Sequence, residues 1–201
     1  MAVAITADYI KAKVAAQGIL QPMTCILEKG SGLIGDAIDA VTHGIYSHVE
    51  IITDFEYWGN KLVHHTIGAQ AKGVEANILS YLWKEGKPID FDVFVTTEPW
   101  TSDQLGKALE YLESMLWVDY GYGTFAHFLV EKIPNWLGGN WLAKKIENPK
   151  LPICSQLAAQ ANMAGGKFPA NFDAVNCSPV SYGYLVLSNP PLLKKITIEP
   201  K

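Results

Sequence analysis

The chain has 201 residues, of which 49% are hydrophobic, and a formal charge of −4, which predicts one globular domain with a substantial core. All sixteen basic residues are lysine, so the forked guanidinium donors usual in phosphate and base recognition are missing, and nucleic-acid binding is not expected. Three scattered cysteines with no CxxC pair point to neither a disulfide framework nor structural zinc.

Residues 1–20 read as a helical arm, with Thr6 as cap, Ile10 and Val14 four apart, and Gly18 as stop. The N-terminus has no basic start followed by an unbroken apolar run. No segment reaches the eighteen or so apolar residues of a membrane span. The expectation is a soluble protein made without a leader, cytoplasmic or carried by an assembly and released to the cell wall. MTCILE from Met23 is β-like, with Cys25 expected in the core, and Asp36 can open a short helix bearing Ile38 and Val41 before Gly44.

YSHVEIITDF from Tyr46 reads as a strand with His48 and Glu50 on one face and Val49 and Ile51 on the other. EYWGNK reads as a turn and KLVHHTIG from Lys61 as the return strand of a hairpin. If the strands pair, a histidine of the second can come within about 5 Å of His48.

Gly73-Val74 and ANILSYLWKEG read as a loop with a short helix or turn. FDVFVTT, from Phe91, reads as an alternating strand. Thr101 to Gln104 has the form of a capping box, and Leu105, Ala108, Leu109, Leu112, Met115 and Leu116 follow as an apolar stripe at helical spacing. WVDYGYG then sets Tyr120 and Tyr122 among glycines. Residues 131–150, with Trp136, Trp141, four lysines and two glutamates, form an insertion suited to a flap, a contact surface or a helical hairpin over the core. After FPANFDAVNCSP, a loop, SYGYLVLSN from Ser181 reads as the last strand, followed by a lysine-bearing tail.

The chemistry is concentrated in ICSQLAAQANMAGG, Ile153 to Gly166. Pro152 is a helix-start signal, small and apolar residues follow, and Gly165-Gly166 ends the run. Cys154 falls in the first helical turn. There the unpaired N–H groups and the positive end of the helix dipole favour a thiolate and can bind a developing oxyanion, as a cysteine nucleophile requires.

Taken in order, CILE, SHVEII, the histidine-bearing return strand before Gly73-Val74, FDVFV with its following helix, VDYGYG and ICSQLAAQA resemble the circularly permuted papain-like cysteine hydrolases related to the NlpC-type cell-wall peptidases. The likeness spans most of Met23 to Ser188, and the histidine strand precedes the cysteine helix as in the permuted group. It implies an α+β fold: a single permuted papain-like domain, 1–201, with a small antiparallel sheet packed against the cysteine helix.

The resemblance also implies Cys154 as nucleophile, His48 as base and then acid, and a third polar residue that orients the imidazole. His64 is the best match for that third residue, with His65 and Glu50 as alternatives. Tyr120 and Ser155 would line the oxyanion and substrate pocket. Glu50 departs from the family, where a glycine commonly stands two residues after the histidine.

The implied activity is cleavage of an amide bond through an acyl-enzyme, on a peptide or acyl-amide substrate such as peptidoglycan stem peptides, with no cofactor and no metal. Three other readings remain open. One is a lipid-directed hydrolase or acyltransferase, with a greasy channel under Trp136 and Trp141. Another is a non-catalytic module of a larger assembly such as a phage tail. The third, minor, is a zinc site of His48, His64 and Cys154.

Overall fold

Cys25–Lys29 (β1) carries Cys25, Ile26, Leu27 and Glu28 all buried, the signature of a strand flanked and covered on every side. The computed structural model describes residues 20–29, 45–59, 61–70, 72–79, 83–84, 87–88, 91–121 and 152–196. The expected arm begun by Thr6, the short helix at Asp36, Tyr122 and the 131–150 insertion lie outside these residues.

Tyr46–Trp58 (β2) and Lys61–Gln70 (β3) form the expected hairpin, but β2 is longer than its sequence suggested and runs through Tyr57 to a tight turn at Gly59. The last pair, Trp58 with Lys61, leaves a two-residue loop. A register shift between Ile52 and Asp54 marks a β-bulge at Thr53. Before it, Val49, Ile51 and Ile67 enter the core; beyond it, Phe55, Tyr57 and Trp58 are exposed.

Gly73–Ile78 (β4) pairs with β3 and corrects the loop expected there. Its alternation is weak because it is an edge strand of small and polar residues. Its outer side is nonetheless occupied, since Val74 N donates to Val118 O at 2.8 Å and Val74 O accepts from Trp117 N at 2.9 Å. At Gly73, with φ +125°, any Cβ would meet Val118 O at 2.6 Å, so only glycine allows that approach.

Trp83–Lys84 (β5) and Lys87–Pro88 (β6) make a separate two-stranded pair. Phe91–Thr96 (β7) pairs with the free side of β1, as its alternating pattern predicts. The helix Ser102–Ser114 (α1) has the expected capping box: Thr101 Oγ1 accepts from Gln104 N at 3.3 Å, and Gln104 Oε1 accepts from Thr101 N at 3.2 Å. Its Ala108 and Leu112 are buried. The cysteine helix, Cys154–Ala164 (α2), packs against α1, β2 and β3. The small Ala158, Ala159 and Ala161, all fully buried, let it lie close to its neighbours.

The strand expected from Ser181 is instead a short helix, Pro179–Gly183 (α3), continued by a 3₁₀ turn, Tyr184–Leu187. Ser178 caps it by accepting from Ser181 N at 3.1 Å, and Pro179 occupies the first turn, a helix start that the β-rich composition of YLVL outweighed in the sequence. Part of the expected tail, Leu193–Ile196 (β8), pairs antiparallel with β7. Its exposed Lys194 and Lys195 suit the outer strand of a sheet, and Lys195 Nζ donates to Asp92 at 2.7 Å.

The result is an α+β arrangement: a six-stranded antiparallel sheet in the order β4-β3-β2-β1-β7-β8 with three α-helices among the described residues. Tyr182 fastens the layers. Its Oη stands 3.1 Å from Cys25 Sγ on β1 and accepts from Asn162 Nδ2 of α2 at 3.0 Å. No helix among the described residues is long and apolar enough to cross a membrane.

Candidate active site

His48 sits near the start of β2, just past an irregularity. Glu28 pairs with His48, but Lys29 pairs with Tyr46, so Ser47 is the extra residue of a bulge. Two residues on, Glu50 shares the face of His48. Its side chain is fully buried, and Oε1 lies 2.9 Å from His48 Nε2, whose ring keeps 18% exposure.

The same oxygen accepts from Gln70 Nε2 at 2.8 Å, while Oε2 has no hydrogen-bond partner among the described residues. Space for this carboxyl comes from Gly68. A Cβ there would stand 2.4 Å from the carboxyl carbon and from each oxygen. The last β2–β3 pair on this side is Ile51 with Ile67, and just beyond it Gly68 lies against the Glu50 carboxyl and Gln70 reaches the same group.

Cys154 opens α2. The residue before it, Ile153, is extended at φ −87° and ψ 170° and has no side-chain acceptor, so no capping side chain takes the N–H groups of the first turn. Gln156 Oε1 satisfies Ile153 N at 3.1 Å instead. The helix start therefore directs uncapped donors and the positive end of its dipole at the thiol.

Cys154 lies near enough to His48 for its thiol to act on the charge of the imidazole. Burial works to lower the His48 pKa, but the charge and hydrogen bond of Cys154, followed by the hydrogen bond and charge of Glu50, outweigh it and hold the pKa well above the ordinary value. Burial pushes the Cys25 and Cys177 thiols up to about 12 each.

Tyr120 reaches this region because the chain after α1 follows β4 and then turns, with Gly121 N donating to Pro152 O at 3.2 Å. The tyrosine is half-buried against the core beside the entrance of α2. Ser155 is fully buried as the second residue of α2, and its Oγ donates to Cys177 O at 2.6 Å, so the hydroxyl holds the Cys177 loop in place.

His64 and His65 are not brought to His48. His64 pairs with Phe55, its ring 6.3 Å from that phenyl ring, and His65 pairs with Asp54, its Nε2 2.7 Å from Glu56 Oε1. Phe55 lies seven residues along β2 from His48, roughly 23 Å at 3.3 Å per residue. Burial and then the charge of His65 lower the His64 pKa. The same separation removes the zinc set of His48, His64 and Cys154. Among the described residues no group of three or more His, Cys, Asp or Glu side chains could hold a metal ion.

Gln70 and Gly68 were missed in the sequence. Counting back along both strands from a turn at Gly59 brings residues near 70, not 64, opposite His48, and that arithmetic was the available signal.

No family model matches the chain, and no curated protein does. Among solved structures the chain is similar to the crystal structure of metalloprotein yiiX from Escherichia coli O157:H7, DUF1105, with a TM-score of 0.52 and 18% identity, over 90% of this chain and 98% of that one. A likeness at that identity shows the fold: an α+β domain built on an antiparallel sheet.

Proposed function

We propose that the chain is a cysteine hydrolase of the permuted papain-like kind, cleaving an amide bond through an acyl-enzyme. One observation carries the reading: His48, 2.9 Å from the buried Glu50 carboxyl, lies near enough to Cys154, at the uncapped start of α2, for the thiol and the carboxyl together to favour its protonated form. In this scheme the Cys154 thiolate attacks the amide carbon, and the oxyanion is held by N–H groups of the first helical turn. His48 then gives its proton to the departing amine. It next takes a proton from water, which attacks the thioester and releases the acid and the thiol.

Glu50 acts in place of His64 as the orienting group, and Tyr120 borders the site. Peptidoglycan stem peptides are the substrate class that the family resemblance suggests. The lipid alternative drew on Trp136 and Trp141, which lie outside the described residues. The similar Escherichia coli protein is called a metalloprotein; here no described cluster offers three ligands, and the scheme routes no step through a metal.

A second reading, a non-catalytic module of a larger assembly, is favoured by one fact: Cys154 is only 1% exposed. Purified protein incubated with muropeptides separates the two. The hydrolase reading expects new amino termini, together with a mass increase on Cys154 equal to the acyl part of the substrate. Both should vanish in Cys154→Ala, and turnover should be lost in His48→Ala. Product formation that survives Cys154→Ala would contradict the proposal.

A further inference from the structure

Glu50 is held in an unusual way for a buried carboxyl group. Oε1 receives two donors, His48 Nε2 and Gln70 Nε2, whereas Oε2 receives none among the described residues, so among these Gln70 is the partner besides the histidine that fixes the group in rotation. Gly68 supplies the other constraint. The carboxyl lies across β3 in the volume that a side chain at position 68 would fill. Both residues belong to the strand opposite His48, and neither touches the reacting atoms.

We propose that Gln70 and Gly68 are positioning residues of the His48–Glu50 pair: the gap at Gly68 admits the Glu50 carboxyl over β3, and the Gln70 amide turns its Oε1 toward His48 Nε2. The proposal rests on the reading of His48 as the acid–base group, but it concerns the pair itself. Without the Gln70 amide, Glu50 keeps His48 as its one hydrogen-bond partner among the described residues. Its carboxyl can then rotate or draw in water, and its charge is shared less effectively with the imidazole. A methyl group at position 68 expels the carboxyl outright, since contacts of 2.4 Å are not tolerated.

The test follows the His48 ring by NMR through a pH titration in wild type, Gln70→Met and Gly68→Ala, with melting temperature recorded alongside. Gln70→Met, similar in shape but without a donor, should move the His48 titration to lower pH and slow Cys154 alkylation at pH 6 by about threefold to tenfold, the effect of losing one hydrogen bond. In a Glu50→Ala background the Gln70→Met change should have no further effect on His48, because the residue through which it acts is gone. Gly68→Ala should resemble Glu50→Ala in its His48 titration.

An unmoved His48 titration in Gln70→Met, or an equal displacement with and without Glu50, would overturn the proposal. If Glu50→Ala does not fold, Glu50→Gln replaces it, and the displacement caused by Gln70→Met should then shrink. The outcome is separable from that of the hydrolase reading. A Cys154 that is inert in wild type, with a His48 titration that still follows Gln70, would refute the hydrolase and leave the positioning network standing.

Discussion

Replacing Glu50 with glutamine removes one charge from the site and almost no volume. The carbonyl oxygen of the new side chain can still accept from His48 Nε2 and Gln70 Nε2 at the 2.9 Å and 2.8 Å positions, and its amide nitrogen takes the place of Oε2, which has no partner among the described residues. Gly68 still offers the room. What changes is the character of the His48 contact, from a charge-assisted hydrogen bond of about 1.5–3 kcal/mol to a neutral one of about 0.5–1.5 kcal/mol. The difference of about 1–1.5 kcal/mol corresponds to roughly fivefold to tenfold in rate. Glu50→Gln should therefore slow Cys154 alkylation at pH 6 by that factor, move the His48 titration to lower pH, and leave the melting temperature within a few degrees of wild type. An unchanged alkylation rate would show that Glu50 does not sustain the imidazolium, and the assignment of Glu50 would be wrong.

Three further substitutions probe the structure around the site. His64→Phe concerns pH: with a lowered pKa, native His64 binds fewer protons than the unfolded chain below about pH 6.5, so stability falls as pH drops through that window and is unaffected above it. The variant should lose less stability between pH 7.5 and pH 5 in urea unfolding, with Cys154 alkylation unchanged; an acid limb as steep as that of wild type would count against the assignment. Tyr182→Phe strips one hydrogen-bond partner each from Cys25 and Asn162 and should cost about 1–3 kcal/mol, read as a lower urea midpoint without loss of Cys154 reactivity. Gly165→Ala would set a Cβ 2.4 Å from the Trp100 ring and 2.8 Å from Gln104 O, and should cost about 1–3 kcal/mol by forcing α1 and α2 apart; a melting temperature equal to wild type would refute that contact.

Much of this arrangement was legible from residue patterns. The alternation of Tyr46 to Phe55 and of Phe91 to Thr97 found β2 and β7, and Thr101 with Gln104 marked the start of α1. Pro152 ahead of Cys154 and Gly165-Gly166 behind it framed α2 to within a residue or two. The partners of His48 were harder, because they depend on register. A histidine in the return strand looked complementary to His48, yet the turn at Gly59 and the bulge at Thr53 set which residues face each other, and they bring Gln70 there instead of His64.

Glu50 was visible as a neighbour on the His48 face. Its claim on the orienting role depended on Gly68, a glycine whose importance lies wholly in what another strand puts above it. The last strand was misread for a local reason: YLVL is rich in β-forming residues, but Ser178-Pro179 had already begun a helix whose Tyr182 anchors the core.

The central claim is that Cys154 is a nucleophile served by His48 and by the helix start. Its most direct test is the rate of iodoacetamide alkylation at each cysteine from about pH 5 to pH 9, read by peptide mass spectrometry in wild type and His48→Ala. An ordinary thiol becomes reactive only as pH approaches about 8.5, and burial holds Cys25 and Cys177 higher still, at about 12. The account predicts that Cys154 alone reacts quickly at pH 6 and that His48→Ala abolishes this advantage. A Cys154 that is as inert as Cys25 and Cys177 across the range, or that reacts equally well without His48, would contradict it.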